Sequence, residues 1–218
     1  MHVGDSEGDV LRNRSLLQST LSARPVFMQQ VHGTAVLEIN GQTPDGLQAD
    51  GSFTQQLGVA CTMMVADCLP ILLCDNKGTQ VAAVHAGWRG LAGANGHGVI
   101  EATRSVFECD TENLLVWLGP CIGPTAFEVG EDVRAAFVET SPESTSAFQP
   151  LGKAKWLADL PTLARQRLGA LGITQVYGND SSKAWCTVTN SSRFFSYRRD
   201  GVCGRFAACV WLDGKSLA

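Results

Sequence analysis

A surplus of basic side chains is missing: 17 Lys and Arg face 21 Asp and Glu, a formal net charge of -4. Sequence-independent nucleic-acid binding draws on a positive surface, so no nucleic-acid partner is expected. Long apolar runs are missing as well. No stretch approaches the roughly 20 apolar residues that span a bilayer, so no membrane partner is expected, and the start of the chain lacks the apolar segment of an export signal. Internal repeats and low-complexity linkers are absent. So are Cys-x-x-Cys pairs, which disfavours a closed structural zinc site. The glycine-rich segment around Gly87, Gly90, Gly93, Gly96 and Gly98 contains no GxxxxGK[ST] pattern, which leaves a nucleotide phosphate loop unsupported. Histidine is scarce: only His2, His32, His85 and His97 occur.

The 218 residues are 44% hydrophobic and 17% charged, enough apolar material for one full core and too much for a disordered chain. One domain over residues 1–218 is the expectation. Eight cysteines without an export signal read as reduced thiols in a cytoplasmic protein. Residues 8–21 are compatible with an opening amphipathic helix, and residues 25–39 are β-rich before a Gly/Pro/Asp loop at 41–51. Short apolar runs at 59–65, 69–74 and 80–85 predict strands, the last two joined by the Asn76-Lys77-Gly78 turn. Helices are expected over 98–107 and 131–139, and another from Asp159-Leu160-Pro161 to a stop at Gly172. Strands are expected at 114–118, 173–177 and 205–212, with a polar loop at 141–146. Strands and helices interleave without strict βαβ alternation, so the class is mixed α/β or α+β.

A hairpin turning through residues 76–79 pairs positions that sum to 155, which sets His85 opposite Pro70. Cys68, two residues earlier, then shares a face with His85 at roughly 7–8 Å, close enough for both to reach one ion. A slip of one residue would separate them. With His32 from Gln30-Val31-His32-Gly33, the donors become His, Cys, His, the set of an open catalytic zinc site. The other reading makes the histidines hydrogen-bonded fixtures and Cys68 a small buried residue. Cys61, Cys74 and Cys209 read as core packing.

Arg193, Arg198, Arg199 and Arg205 crowd one late stretch, where Tyr197-Arg198-Arg199-Asp200-Gly201 forms a turn that can aim guanidinium groups at an anion. Arg89 follows His85 by four residues, and its planar fork suits a phosphate or carboxylate. Pairing of these arginines with Asp67, Asp200 or Glu128 is the alternative.

The blocks Gln30-Val31-His32-Gly33, Ala66-Asp67-Cys68-Leu69-Pro70-Ile71 and Val84-His85-Ala86-Gly87-Trp88-Arg89-Gly90 resemble the laccase-domain, or YfiH-type, proteins. So do Gly119-Pro120-Cys121-Ile122-Gly123, Phe127-Glu128-Val129-Gly130 and Phe194-Phe195-Ser196-Tyr197-Arg198-Arg199-Asp200-Gly201. The resemblance runs in order from His2-Val3-Gly4-Asp5 to Trp211-Leu212. It implies a four-layer α/β/β/α sandwich, lacking the family's extreme N-terminal strands, with zinc on His32, Cys68 and His85. It also implies purine nucleoside phosphorylase activity, with adenosine deamination beside it. Older family names point to polyphenol oxidase, and some relatives to editing of peptidoglycan precursors. Cys203 stands where the family usually has threonine.

A multicopper oxidase needs a mononuclear and a trinuclear copper centre built largely on imidazoles, and four histidines cannot supply them. A Cys–His hydrolase with Cys68 as nucleophile is the stronger rival, separated from the zinc enzyme by metal content. In the zinc enzyme Arg89, with Arg198 or Arg199, holds phosphate, and Asp67 is a candidate proton carrier. Purine nucleoside and phosphate are the expected partners, for a monomer or small homo-oligomer.

Overall fold

The computed structural model describes residues 4–214, so His2 and the start of its block lie outside the described residues. In chain order the elements are α1 (Glu7–Thr20), β1 (Arg24–Phe27), β2 (Val36–Glu38), β3 (Gly51–Thr54), β4 (Val59–Val65), β5 (Leu69–Asp75) and β6 (Val81–Ala86). Then come α2 (Trp88–Ala92), α3 (Val99–Arg104), β7 (Leu114–Leu118), β8 (Glu128–Gly130) and α4 (Glu131–Val138). The chain continues through β9 (Phe148–Gly152), β10 (Lys155–Ala158), α5 (Leu160–Ala170), β11 (Gln175–Gly178), α6 (Tyr197–Asp200) and β12 (Phe206–Trp211).

A six-stranded mixed sheet, ordered β11-β7-β5-β6-β3-β2, packs against a three-stranded sheet, β1-β4-β12. Strand alternation divides the apolar side chains into two cores. Leu69, Ile71 and Leu73 of β5, with Ala82, Val84 and Ala86 of β6, face the layer of α2 to α5. Val81 and Ala83 turn the other way, onto Val26, Val59, Cys61 and Met63 of the smaller sheet. Helix, sheet and sheet are therefore three well-packed layers. The outer α layer implied by the resemblance is α1, which touches the small sheet through the Arg14 guanidinium, 4.0 Å from the Phe27 ring centre. That helix buries none of its residues, so the expected amphipathic face does not form.

The β5–β6 hairpin has the predicted register, with Pro70 paired to His85 and Leu69 to Ala86. Asp75 closes its turn by accepting from Thr79 N (2.7 Å), Thr79 Oγ1 (2.6 Å) and Gln80 N (2.9 Å). The polar segment expected as a loop contains a 3-10 turn at Pro142–Ala147. It leads into the hairpin of β9 and β10, a largely exposed pair that joins β8 as a third sheet. No helix among the described residues is long and apolar enough to cross a membrane.

Candidate metal centre and its cavity

The site forms where the chain leaves the small sheet at Val65 and enters the large one at Leu69. Ala66-Asp67-Cys68 makes that crossing, and Asp67 takes a φ of 96°, a conformation that costs a non-glycine residue roughly 1–3 kcal/mol. Three hydrogen bonds hold it. Thr187 Oγ1 donates to Oδ1 at 2.5 Å, Arg198 N donates to Oδ2 at 2.7 Å, and Ile122 N donates to the Asp67 carbonyl at 2.9 Å. Both carboxylate oxygens are thus engaged. Asp67 fits the part of a strut between the Cys68 turn and the arginine turn better than that of a proton carrier.

His85 sits on β6, 4% exposed, on the face turned toward the small sheet. Its Nδ1 lies 2.8 Å from Asp50 Oδ1, a contact that orients the ring so that Nε2 can serve a metal ion. Asp50 is fully buried. The same carboxylate accepts from the backbone N–H groups of Val31 (3.2 Å), His32 (2.9 Å) and Gly33 (2.6 Å). Those bonds hold the His32 loop in place, with His32 itself at a φ of 61°. One buried carboxylate therefore positions two of the three residues that could hold a metal ion. Sequence reasoning missed Asp50 because it stands at the end of a Gly/Pro/Asp loop, 17 to 35 residues from the groups it binds.

The Cys68, His32 and His85 donor atoms lie within 4.8 Å of one another. Cys68 Sγ is 3.7 Å from His32 Nε2, and the two imidazoles meet edge to face with centroids 4.8 Å apart. Bonds near 2.3 Å to sulfur and 2.0 Å to nitrogen give a tetrahedral S···N edge of about 3.5 Å, close to the Cys68–His32 separation, and the widest pair of the set would close by roughly an ångström around an ion. Burial pushes the Cys68 thiol up, but hydrogen bonding and charge attraction from His32 and His85 outweigh it and bring it down to about 6. Burial likewise opposes protonation of His85, yet Asp50 and Cys68 raise it to about 9. The two shifts come in part from mutual attraction of Cys68 and His85, so a metal ion bound here would compete with protons.

The glycines after His85 serve this cluster rather than an approaching anion. A methyl group at Gly87 would lie 2.7 Å from His32 Cδ2 and 3.1 Å from Cys68 Sγ, and one at Gly90 would lie 2.7 Å from the Gly33 carbonyl. Only glycine lets α2 come this close to the ligand loop.

A cavity of about 340 Å³ opens beside the donors. Its walls include Met64, Val65, Ile122 and Phe127, with the exposed Tyr197 at the side and the residues Arg198 and Arg205. Arg198 is where the motif predicts. Arg205, a member of the late arginine cluster but not singled out for the site, also lines the cavity. Arg199 is turned away: it bonds the carbonyls of Thr187, Val188 and Phe194 and pairs with Asp200 at 2.6 Å. Arg89 is exposed and outside the cavity wall, its guanidinium 4.5 Å from the centre of the Trp88 ring. Nearness in sequence to His85 does not bring it to the site, because α2 starts at Trp88 and carries it outward. His97 is likewise exposed, in a turn with Ala94. Cys203 lies beside the cavity, its Sγ 3.4 Å from Arg205 Nη1.

The comparisons agree with this architecture. A purine nucleoside phosphorylase of Pseudomonas aeruginosa is 50% identical over 213 residues, covering 97% of this chain and 84% of the relative. The Escherichia coli protein named purine nucleoside phosphorylase YfiH is 46% identical over the same coverage. The crystal structure of Neisseria meningitidis protein NMB0706 superposes with a TM-score of 0.90 at 45% identity, over 98% of this chain and 85% of that one. Residues 1–213 match the family described as multi-copper polyphenol oxidoreductase laccase, and the chain belongs to that family.

Proposed function

We propose that the chain is a zinc-dependent purine nucleoside phosphorylase, converting adenosine or inosine and phosphate to the free base and ribose 1-phosphate. The observation that carries this reading is the joining of the His32–Cys68–His85 donor set and two arginines in one cavity. Relatives named purine nucleoside phosphorylase at 46% and 50% identity support it. Two nitrogens and one sulfur suit zinc, which leaves a fourth position open and supplies Lewis acidity to the substrate when bound.

The chain's own residues do the rest. Asp50 orients His85 and the His32 loop, so the donors need little reorganisation. Arg198 presents a fork to phosphate, the part first given to Arg89. Asp67 holds the Arg198 backbone against the Cys68 turn. Phe127, Ile122 and Met64 give the base an apolar wall and keep water from the reacting centre. Cys68 serves as a ligand rather than a nucleophile in this reading. Adenosine deamination is a second reaction of the same cavity, in which water adds at C6 of the purine and ammonia leaves, giving inosine.

The test is base release from inosine and adenosine by metal-quantified protein, with and without phosphate. Release that requires phosphate and falls with zinc content in Cys68→Ala supports the proposal. Full activity of Cys68→Ala, or phosphate-independent release from inosine, overturns it.

A further inference from the structure

Arg198 and Arg205 both line the cavity beside the metal donors, and neither forms an ion pair among the described residues. Each guanidinium is anchored at Nη1 by main-chain oxygen. Arg198 donates to Glu128 O at 3.1 Å; Arg205 donates to Cys203 O at 2.9 Å and Gly204 O at 3.0 Å, with Cys203 Sγ alongside. The Nε and Nη2 groups of both have no hydrogen-bond partner among the described residues, and none of those on half-buried Arg205 is sealed from solvent. A guanidinium fixed at one corner keeps its Nε–Nη2 edge for a bidentate oxyanion, with part of its rotational freedom already lost. Asp67 supplies the only carboxylate of the cavity wall, and its oxygens are taken by Thr187 and by the Arg198 backbone. Two guanidinium groups of the cavity wall thus keep an unpaired Nε–Nη2 edge, and no carboxylate of the described residues pairs with either.

We infer that Arg205 joins Arg198 in an oxyanion site beside the metal donors, and that its occupant is inorganic phosphate. The occupant rests on the phosphorylase reading; the site and the part of Arg205 do not. Cys203 is then a positioning residue, since its carbonyl and sulfur both touch Arg205 Nη1.

The experiment is calorimetric titration of zinc-loaded protein with inorganic phosphate, adenosine and AMP, each alone, in the parent, Arg205→Gln, Arg205→Lys and Arg198→Gln, with folding checked by circular dichroism. Loss of charge-assisted hydrogen bonds weakens binding by roughly ten- to hundred-fold, so phosphate should bind that much less tightly to Arg205→Gln, with Arg205→Lys in between. Adenosine affinity should change less than about threefold. Phosphate affinity unchanged in both glutamine variants overturns the site. AMP binding much tighter than adenosine in the parent, with the difference lost in Arg205→Gln, assigns the site to a nucleotide's phosphate and overturns the occupant. Phosphate and nucleoside are never present together, so no phosphorolysis enters the measurement. Weakened phosphate binding without any phosphorolysis therefore leaves the site standing while the phosphorylase reading falls.

Discussion

Replacing Asp50 by Asn keeps the shape of the side chain and removes its ability to accept on both sides. Oδ1 receives His85 Nδ1–H and His32 N–H, while Oδ2 receives the N–H groups of Val31 and Gly33. An amide has one accepting oxygen. If that oxygen stays with the histidines, its NH2 faces two backbone donors in a fully buried setting. Each lost bond to a charged acceptor is worth roughly 1.5–3 kcal/mol, so the metal-free variant should lose about 3–6 kcal/mol of stability. His32, held in the left-handed region at 61°, loses the ties that offset its strain. Zinc affinity should fall by roughly ten- to hundred-fold, the usual cost of removing a ligand's outer partner. Guanidinium unfolding of metal-free protein measures the first quantity, and competition with a chromophoric chelator the second. A folded Asp50→Asn that binds zinc within twofold of the parent would refute the reasoning.

Gly87→Ala should fold yet lose most of its metal, because the added carbon meets His32 at 2.7 Å; a full equivalent of bound zinc by elemental analysis would contradict this. Asp75→Asn tests the turn that sets the hairpin register. Burial raises the Asp75 carboxyl, but Thr79 and the backbone N–H groups of Thr79 and Gln80 outweigh it and hold it below its ordinary 3.8. Its contribution is therefore present above that value and lost as pH falls through the lower folded value. Asp75→Asn should cost about 1–3 kcal/mol at pH 7, with the gap to the parent closing in acid; a gap that widened there would reverse the sign. Arg89→Lys should leave the phosphate KM within about twofold, since a solvent-exposed cation–π contact contributes roughly 0.5–1 kcal/mol and to folding only. A tenfold rise in that KM would return phosphate binding to Arg89. Thiol titration of denatured, metal-free protein should find eight groups, matching eight unbonded cysteines.

What the sequence makes legible is local. The Asn76-Lys77-Gly78 turn between two apolar runs places Pro70 against His85, and that pairing carries Cys68 to its partners. The strands of both cores announce themselves as short apolar runs bounded by turn residues. What is illegible depends on tertiary ties. Asp50 is one aspartate in a loop until the fold sets it under His85 and the His32 backbone. Arg205 reads as one of four clustered arginines at the start of a strand, and only the fold sets it apart by placing it on the cavity wall with Arg198. Arg89 misleads in the opposite way, being near His85 in sequence and carried outward by α2. The glycines after His85 suggest room for an anion, whereas the space at Gly87 and Gly90 is taken by His32, Cys68 and Gly33. The β9–β10 hairpin escapes notice because its exposed strands have no apolar alternation.

Phosphate-dependent cleavage of inosine, followed in the same sample before zinc removal, after it and after zinc is restored, tests the central claim most directly. Hypoxanthine and ribose 1-phosphate should appear in equal amounts, vanish with the metal and return with it. Equal rates with and without zinc, or ribose in place of ribose 1-phosphate, would contradict a metal-dependent phosphorylase built on His32, Cys68 and His85.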